Sequence, residues 1–377
     1  MDTLTDDNYH ENSKDKPNKW IVVVILVLSL AGVSYSFTRP SVKDAMNGTV
    51  KEILSERETT LDIGDKTKFV KEQDLLVEIV VENEKKEINV LNDYKPVEEG
   101  DKIFISESLF GESEFSVVNI GRTNELFFLL IFFIILVILT SGWKGLYSLI
   151  GLLFSLATIF AFIVPLILEG ANPVSVGVIG AAVILIPTLY LSYGLNRKSI
   201  AAFLGIIIAL LFVGIIANYF INVLQFTGLS EVSLFLDMET SNSINLVGLL
   251  IAGIIIAAVG VLDDVAIIQS SVVFSLVRTN PNLRGFKLFK EAMHVGKDHI
   301  SAVVNTLVLA YTGASLPLII LLYLRKMPVD YFVSLEMVAE EVARTLISSS
   351  GLLLAVPLTT IIAVLMVDRK YNNLKNN

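Results

Sequence analysis

The sequence predicts an α-helical integral membrane protein of about eight transmembrane helices, with a small β-rich extracytoplasmic domain between helices 1 and 2. Three observations predict it. Mean hydropathy is +0.67, and several apolar runs exceed about 18 residues, the length that reads as a membrane span. Lys and Arg collect at alternate ends of those runs, as expected of loops held in the cytoplasm. The one long polar segment, residues 38–125, alternates apolar and polar positions with the period of a strand.

Residues 1–19 read as a cytoplasmic tail, with Lys14, Lys16 and Lys19 just before the first apolar run. That run, residues 20–37, reads as a retained anchor: its apolar core exceeds that of a usual signal peptide, and no A-x-A cleavage site follows. Residues 38–125 then form the extracytoplasmic domain. "LLVEIVV" (75–81), "KEINVLN" (86–92), "DKIFISES" (101–108) and "FSVVNI" (115–120) are separated by polar turns, which predicts hairpins of a small barrel or sandwich with one buried face. This domain holds 20 Asp and Glu against 12 Lys and Arg, almost the whole net charge of −9. That excess reads as the solvated acidic surface of a small domain, with a cation-attracting or partner-binding cap as the other reading.

Residues 126–367 form a seven-helix membrane domain. Its spans are read as Leu126 to Ser141, Leu146 to Leu168, Val174 to Tyr193, Ile200 to Leu224, Leu246 to about Ser270, Ile300 to Leu324 and Leu346 to Val367. Inside connections then carry Lys144, Arg197, Lys198, Arg278, Arg284, Lys287, Lys290 and Lys297, whereas the outer loops 169–173 and 225–245 have no Lys or Arg and only Arg325, Lys326 and Arg344 fall outside. Residues 368–377 close the chain as a second cytoplasmic tail. A multi-pass protein of the cell membrane with both termini in the cytoplasm follows from that asymmetry. Pro165, Pro187, Pro317 and Pro357 interrupt spans, where membrane helices tolerate them as kinks.

Function classes fall away in turn. The chain has no cysteine, so disulfides, thiolate metal sites and Cys nucleophiles are excluded. Acidity argues against nucleic acid as a partner. There is no G-x-x-x-x-G-K-[ST] loop and no H-E-x-x-H helix, so neither an enzyme nor a cofactor is expected, and no metal is specified. An intramembrane aspartyl hydrolase needs two facing carboxylates, whereas neighbours on one helix point about 100° apart.

The carboxylates concerned are Asp263 and Asp264, side by side in "GVLDDVAIIQSS" (260–271). An aspartate at mid-membrane costs about 2.5 to 3.5 kcal/mol on insertion scales. Such a cost implies compensation by protein, water or a cation. On a helix, Asp263 aligns with Ser270 and Asp264 with Ser271, and the four span an arc of about 120°. Gln269 points elsewhere but belongs to the same candidate segment. The apolar stretch Leu246 to Leu276 is too long for one straight crossing, so it tilts, continues into the cytoplasm or breaks near Gly260. Two placements of the pair fit: a functional polar site, or an inner-interface pair neutralised by the basic loop that follows.

The next span adds Asp298, Ser301, Asn305 and Thr312 in one stripe that would face the aspartates, with His299 beside it as a proton relay or a surface histidine. In the last span, Glu341 and Arg344 are outer-gate or interface candidates, and Glu340 reads as a surface ion-pair residue. A secondary transporter that carries a small solute with H⁺ or Na⁺ is the leading expectation. The other is a non-transporting scaffold, either an oligomer or a partner subunit of a larger envelope complex, since polar helix faces also serve association.

"GVLDDVAIIQSS" (260–271), "GKDHISAVVNTLVLAYTGASLPLIIL" (296–321) and "VARTLISSSGLLLAVPLTT" (342–360), in that order and spacing, resemble the YibE/F-like membrane proteins of bacteria. The anchor followed by a β-rich domain is similar to that family's layout as well. The resemblance implies a multi-pass protein of permease type and favours Asp264 over Asp263 as the indispensable acid.

Overall fold

The computed structural model describes residues 17–37, 46–63, 66–81, 84–107, 115–229 and 244–376. Most of the expected N-terminal tail and the centre of the outer loop 225–245 lie outside the described residues. The chain divides into two compact units, Thr38–Gly142 and the remainder.

In the first unit, β1 (Met46–Ile63), β2 (Lys66–Val81), β3 (Glu84–Asn92), β4 (Lys102–Glu107) and β5 (Phe115–Ile120) close into a barrel of order β1-β2-β3-β5-β4. β3 and β5 pair in parallel and the other pairs are antiparallel. This is the five-stranded closure of an OB-type barrel. The alternation in "LLVEIVV" decides its inside: Leu75, Val77 and Ile79 are buried with Val50, Val90, Ile103, Ile105 and Val117. A buried amide network locks the Asn92 to Val97 crossing. Val97 N–H donates to Gln73 Oε1 at 2.8 Å, and Asn92 Nδ2 donates to the same oxygen at 2.9 Å and to Lys95 O at 2.8 Å.

Cross-strand ion pairs coat the outside: Arg57 with Asp74 at 2.8 Å, and Lys51 and Lys85 with Glu78 at 3.1 and 3.0 Å. The hydrogen bond from Ser55, then Arg57, holds the Asp74 carboxyl below the usual carboxylate range. Lys85 and then Lys51 do the same for Glu78. Groups with folded pKa values below their unfolded values contribute stability that is complete above the ordinary range, about 4, and is lost as pH falls through the folded values. Scanning calorimetry of the whole chain should therefore show the barrel transition moving to lower temperature between pH 6 and pH 3. The shift should be small, because exposed pairs are weak. An unchanged transition would mean that these pairs do not differ between folded and unfolded chains.

The second unit is helical: α1 (Lys19–Phe37), then, beyond α2 (Thr123–Thr158) and a π turn (Ile159–Ile163), α3 (Val164–Leu168), α4 (Pro173–Tyr193), α5 (Arg197–Val223), α6 (Leu246–Thr279), α7 (Gly285–Ala314), α8 (Leu316–Leu324), α9 (Val329–Ser334) and α10 (Glu336–Asn376). The π turn precedes Pro165, which has no N–H to donate to Ala161, and Val164 N–H reaches back to Ile159 O instead. Asparagines start three helices: Asn172, Asn196 and Asn245 each accept from a backbone N–H in the first turn of α4, α5 and α6.

α6 is the central rod, packed on α4, α5, α7 and α10. Small residues bring these helices close. A Cβ placed on Gly177 would lie 3.2 Å from Ala252 Cα, and one on Gly205 would lie 3.0 Å from Thr359 Cα. Of the three ways the long stretch could fit, the break near Gly260 is not found. α6 runs unbroken through it, because one glycine costs a helix only about 1 kcal/mol and burial of Ala258, Val259 and Leu262 around it outweighs that.

The protein is mostly helical, with five helical stretches long and apolar enough to cross a membrane: Thr123–Leu168, Pro173–Tyr193, Arg197–Val223, Leu246–Thr279 and Glu336–Asp368, besides the shorter Lys19–Ser34. Two of the expected spans share the first stretch. Its backbone leaves helical geometry at Gly142, φ 55° and ψ −139°, a region that glycine enters without strain. The expected span from Ile300 to Leu324 is divided at Ser315 between α7 and α8.

Candidate functional site

α6 carries several polar residues, and the structure uses them differently. Gln269 and Ser270 are buried. Gln269 Nε2 donates to Ala292 O of α7 at 3.0 Å and to Thr360 Oγ1 of α10 at 2.7 Å, and the Thr360 hydroxyl in turn donates to Val356 O. Gly296 makes room for that amide: a Cβ there would lie 2.9 Å from Gln269 Oε1. Ser270 donates to Lys198 O in the first turn of α5 at 2.9 Å. These two side chains join helices. Gln269→Leu should cost about 1 to 3 kcal/mol by removing two buried hydrogen bonds between helices. A melting temperature of the solubilised protein equal to that of the intact chain would remove the amide from the account of stability.

Asp263 shares the direction of Ser270 about two turns earlier on α6, and Asp264 and Ser271 lie about 100° further round the helix. Asp263 is partly buried, and its Oδ1 is enclosed without a hydrogen-bond partner among the described residues. Asp264 is exposed. Among the described residues no ion pair joins a Lys, Arg or His to either carboxylate. One turn beyond Asp264 an open groove of ≈ 380 Å³ begins, lined by Tyr193, Ile267, Ile268, Ser271, Ser275 and Thr279 among others. Its walls are mostly apolar, with a row of hydroxyls along α6.

Depth follows from the Ser270 bond. The carboxylates stand six to seven residues along α6 from the Lys198 level, or about 10 Å at 1.5 Å per residue. They lie inside the apolar part of the bundle, nearer the end that carries Arg197, Lys198, Arg278 and Arg284.

The α7 stripe does not meet them. Ile300, Val303, Val304 and Leu307 pack on the bundle core, whereas Asp298, Ser301, Asn305 and Thr312 are exposed on the opposite side of the same helix. An apolar face won the inward position because the neighbouring helix surfaces are themselves apolar. His299 is partly buried, with Nε2 enclosed and unpartnered among the described residues.

At the far end of α10, Arg344 Nε lies 3.7 Å from Glu341 Oε2, both partly buried. Two acids beside them do more than was expected. Glu336 accepts from Thr227 N at 2.5 Å and from Thr227 Oγ1 at 2.7 Å, and Glu340 accepts from the backbone of Gly228. Together they fasten the turn that follows α5. Glu336 was not among the sequence candidates, although acids at i and i+4 in a first turn are a signal for binding backbone N–H groups. Below them, the Ser348 and Ser349 hydroxyls are buried and lack partners among the described residues.

Fold and site together define a polytopic helical membrane protein whose central helix holds an adjacent pair of acids near an open groove. A family model described as YibE/F-like protein matches residues 129–369. The chain belongs to that family, and the match covers well over half of its 377 residues. Neither the curated proteins nor the solved structures contain a match.

Proposed function

We propose that this chain is a secondary transporter of the cell membrane, coupled to H⁺ or Na⁺, with Asp264 as the ion-carrying carboxylate and Asp263 as its electrostatic modulator. The observation that supports it is the acidic pair within the apolar length of α6 without a cationic partner among the described residues. Carboxylates held there call for a cation that comes and goes. The exposed Asp264 beside the open groove gives such a cation, and a small solute, somewhere to enter.

In this reading the chain crosses eight times with both termini in the cytoplasm and the barrel outside. The stretch Thr123–Leu168 supplies two crossings: its 46 residues would reach roughly 69 Å if straight, more than twice a 30 Å hydrocarbon core. α7 beyond Ile300 supplies another together with α8. The positive-inside pattern then puts the basic end of the bundle in the cytoplasm, and the acidic pair in the inner leaflet.

A scaffold or partner-subunit role is the second reading, favoured by the uncovered polar face of α7. Purified protein in liposomes, given imposed proton or sodium gradients and a panel of small solutes, separates the two. Gradient-driven solute flux supports the transporter. Absence of flux for every solute and both gradients, with a copurifying membrane protein, supports the scaffold.

A further inference from the structure

The outward face of α7 has a chemistry of its own. Ser301, Asn305 and Thr312 run along it, flanked by Ala302, Thr306 and Gly313, all exposed, and nothing lies within 4 Å of a Cβ placed on Gly313. The Thr306 hydroxyl is satisfied internally by Ala302 O at 3.0 Å. The Asn305 amide makes no hydrogen bond among the described residues.

We propose that this face is the contact between two copies of the chain, with the Asn305 amides of the two copies hydrogen-bonded to each other. The inference rests on residues 300–324 crossing the bilayer, where lipid offers neither a donor nor an acceptor to an amide. An amide is both donor and acceptor, so it satisfies an identical group, as a carboxylate or an ammonium cannot. In a two-fold pair about the membrane normal each residue of a central helix meets its own counterpart. Asn305 then faces Asn305 of a second copy, and Thr312 meets Thr312 two turns further on. No charged residue occurs from Ser301 to Leu324, so no like charges oppose one another within the bilayer. At the base, Lys297 adjoins Asp298, and each copy brings both signs to that end of the contact. The small flanking residues let the two backbones approach.

The chain has no cysteine of its own, which makes the test direct. Single cysteines at Ser301 and Thr312 on the outward face, and at Val304 and Leu307 on the inward face, are oxidised in native membranes. Disulfide formation needs Cβ atoms about 3.8 Å apart. A species of twice 41.4 kDa should form at the outward positions, at about tenfold the yield of the inward ones. Adding Asn305→Leu to Thr312→Cys should lower the yield about fivefold, whereas Asn305→Gln keeps it. Equal yields on both faces, or indifference to Asn305→Leu, would overturn the proposal. Reaction of Asn305→Cys with a membrane-impermeant maleimide would overturn the span reading and the dimer with it. Protection from that reagent without any crosslink overturns the dimer alone.

Discussion

Asp264→Asn should reduce gradient-driven flux in proteoliposomes to the level of protein-free vesicles while leaving expression and melting temperature unchanged. The substitution keeps the shape of the side chain and removes only its charge. Asp264 is exposed and makes no hydrogen bond or ion pair among the described residues, so no packing or partner is lost with that charge. A transport role needs the ionised form to capture a cation at one face and to release it at the other, which an amide cannot do. Asp263→Asn should leave part of the flux: its neighbour keeps the cation site, and the change relieves repulsion between adjacent carboxylates. Equal flux from the intact protein and Asp264→Asn would place the aspartates among helix-packing residues.

The largest effect on stability is expected at Gly205. A Cβ there would meet the α10 backbone and side chain, 3.0 Å from both Cα and Cβ of Thr359 and closer still to its hydroxyl. Backbone cannot swing aside as the end of a long side chain can. Gly205→Ala should therefore push α5 and α10 apart and cost about 1 to 3 kcal/mol, and Gly205→Leu more. Thr359→Ala removes the hydroxyl that stands nearest and should restore part of the loss in the double variant, a coupling that a melting-temperature cycle measures. Strict additivity of the two changes would show that the helices do not meet there in the membrane.

Much of the helical unit was legible because apolar length is a coarse, strong signal and the chain supplies it repeatedly. The barrel was legible as strands because Leu75, Val77 and Ile79 alternate with Asp74, Leu76 and Glu78. Its closure was not, since the pairing of β3 with β5 joins residues far apart in sequence. Helical angle placed Asp263, Asp264, Ser270 and Ser271 in one arc of α6 and Gln269 outside it, and the structure buries Ser270 of that arc against α5. The angle did not reveal which side meets protein. That depends on what the neighbours present, and the α7 stripe shows the consequence: its period was right, yet Val303, Val304 and Leu307 took the inward place. Glu336 escaped notice because its partners, Thr227 and its backbone, lie 109 residues away.

Gln269 also sets a rule of motion. One side-chain nitrogen ties α6 to α7 through Ala292 and to α10 through Thr360, while the next residue, Ser270, ties α6 to α5. Any rearrangement that preserves these bonds carries the four helices as one rigid body at that level. α4 has no share in this knot, although Tyr193 at its end borders the groove. Relative displacement across the groove would then take the form of α4 sliding against a block that holds the carboxylates fixed.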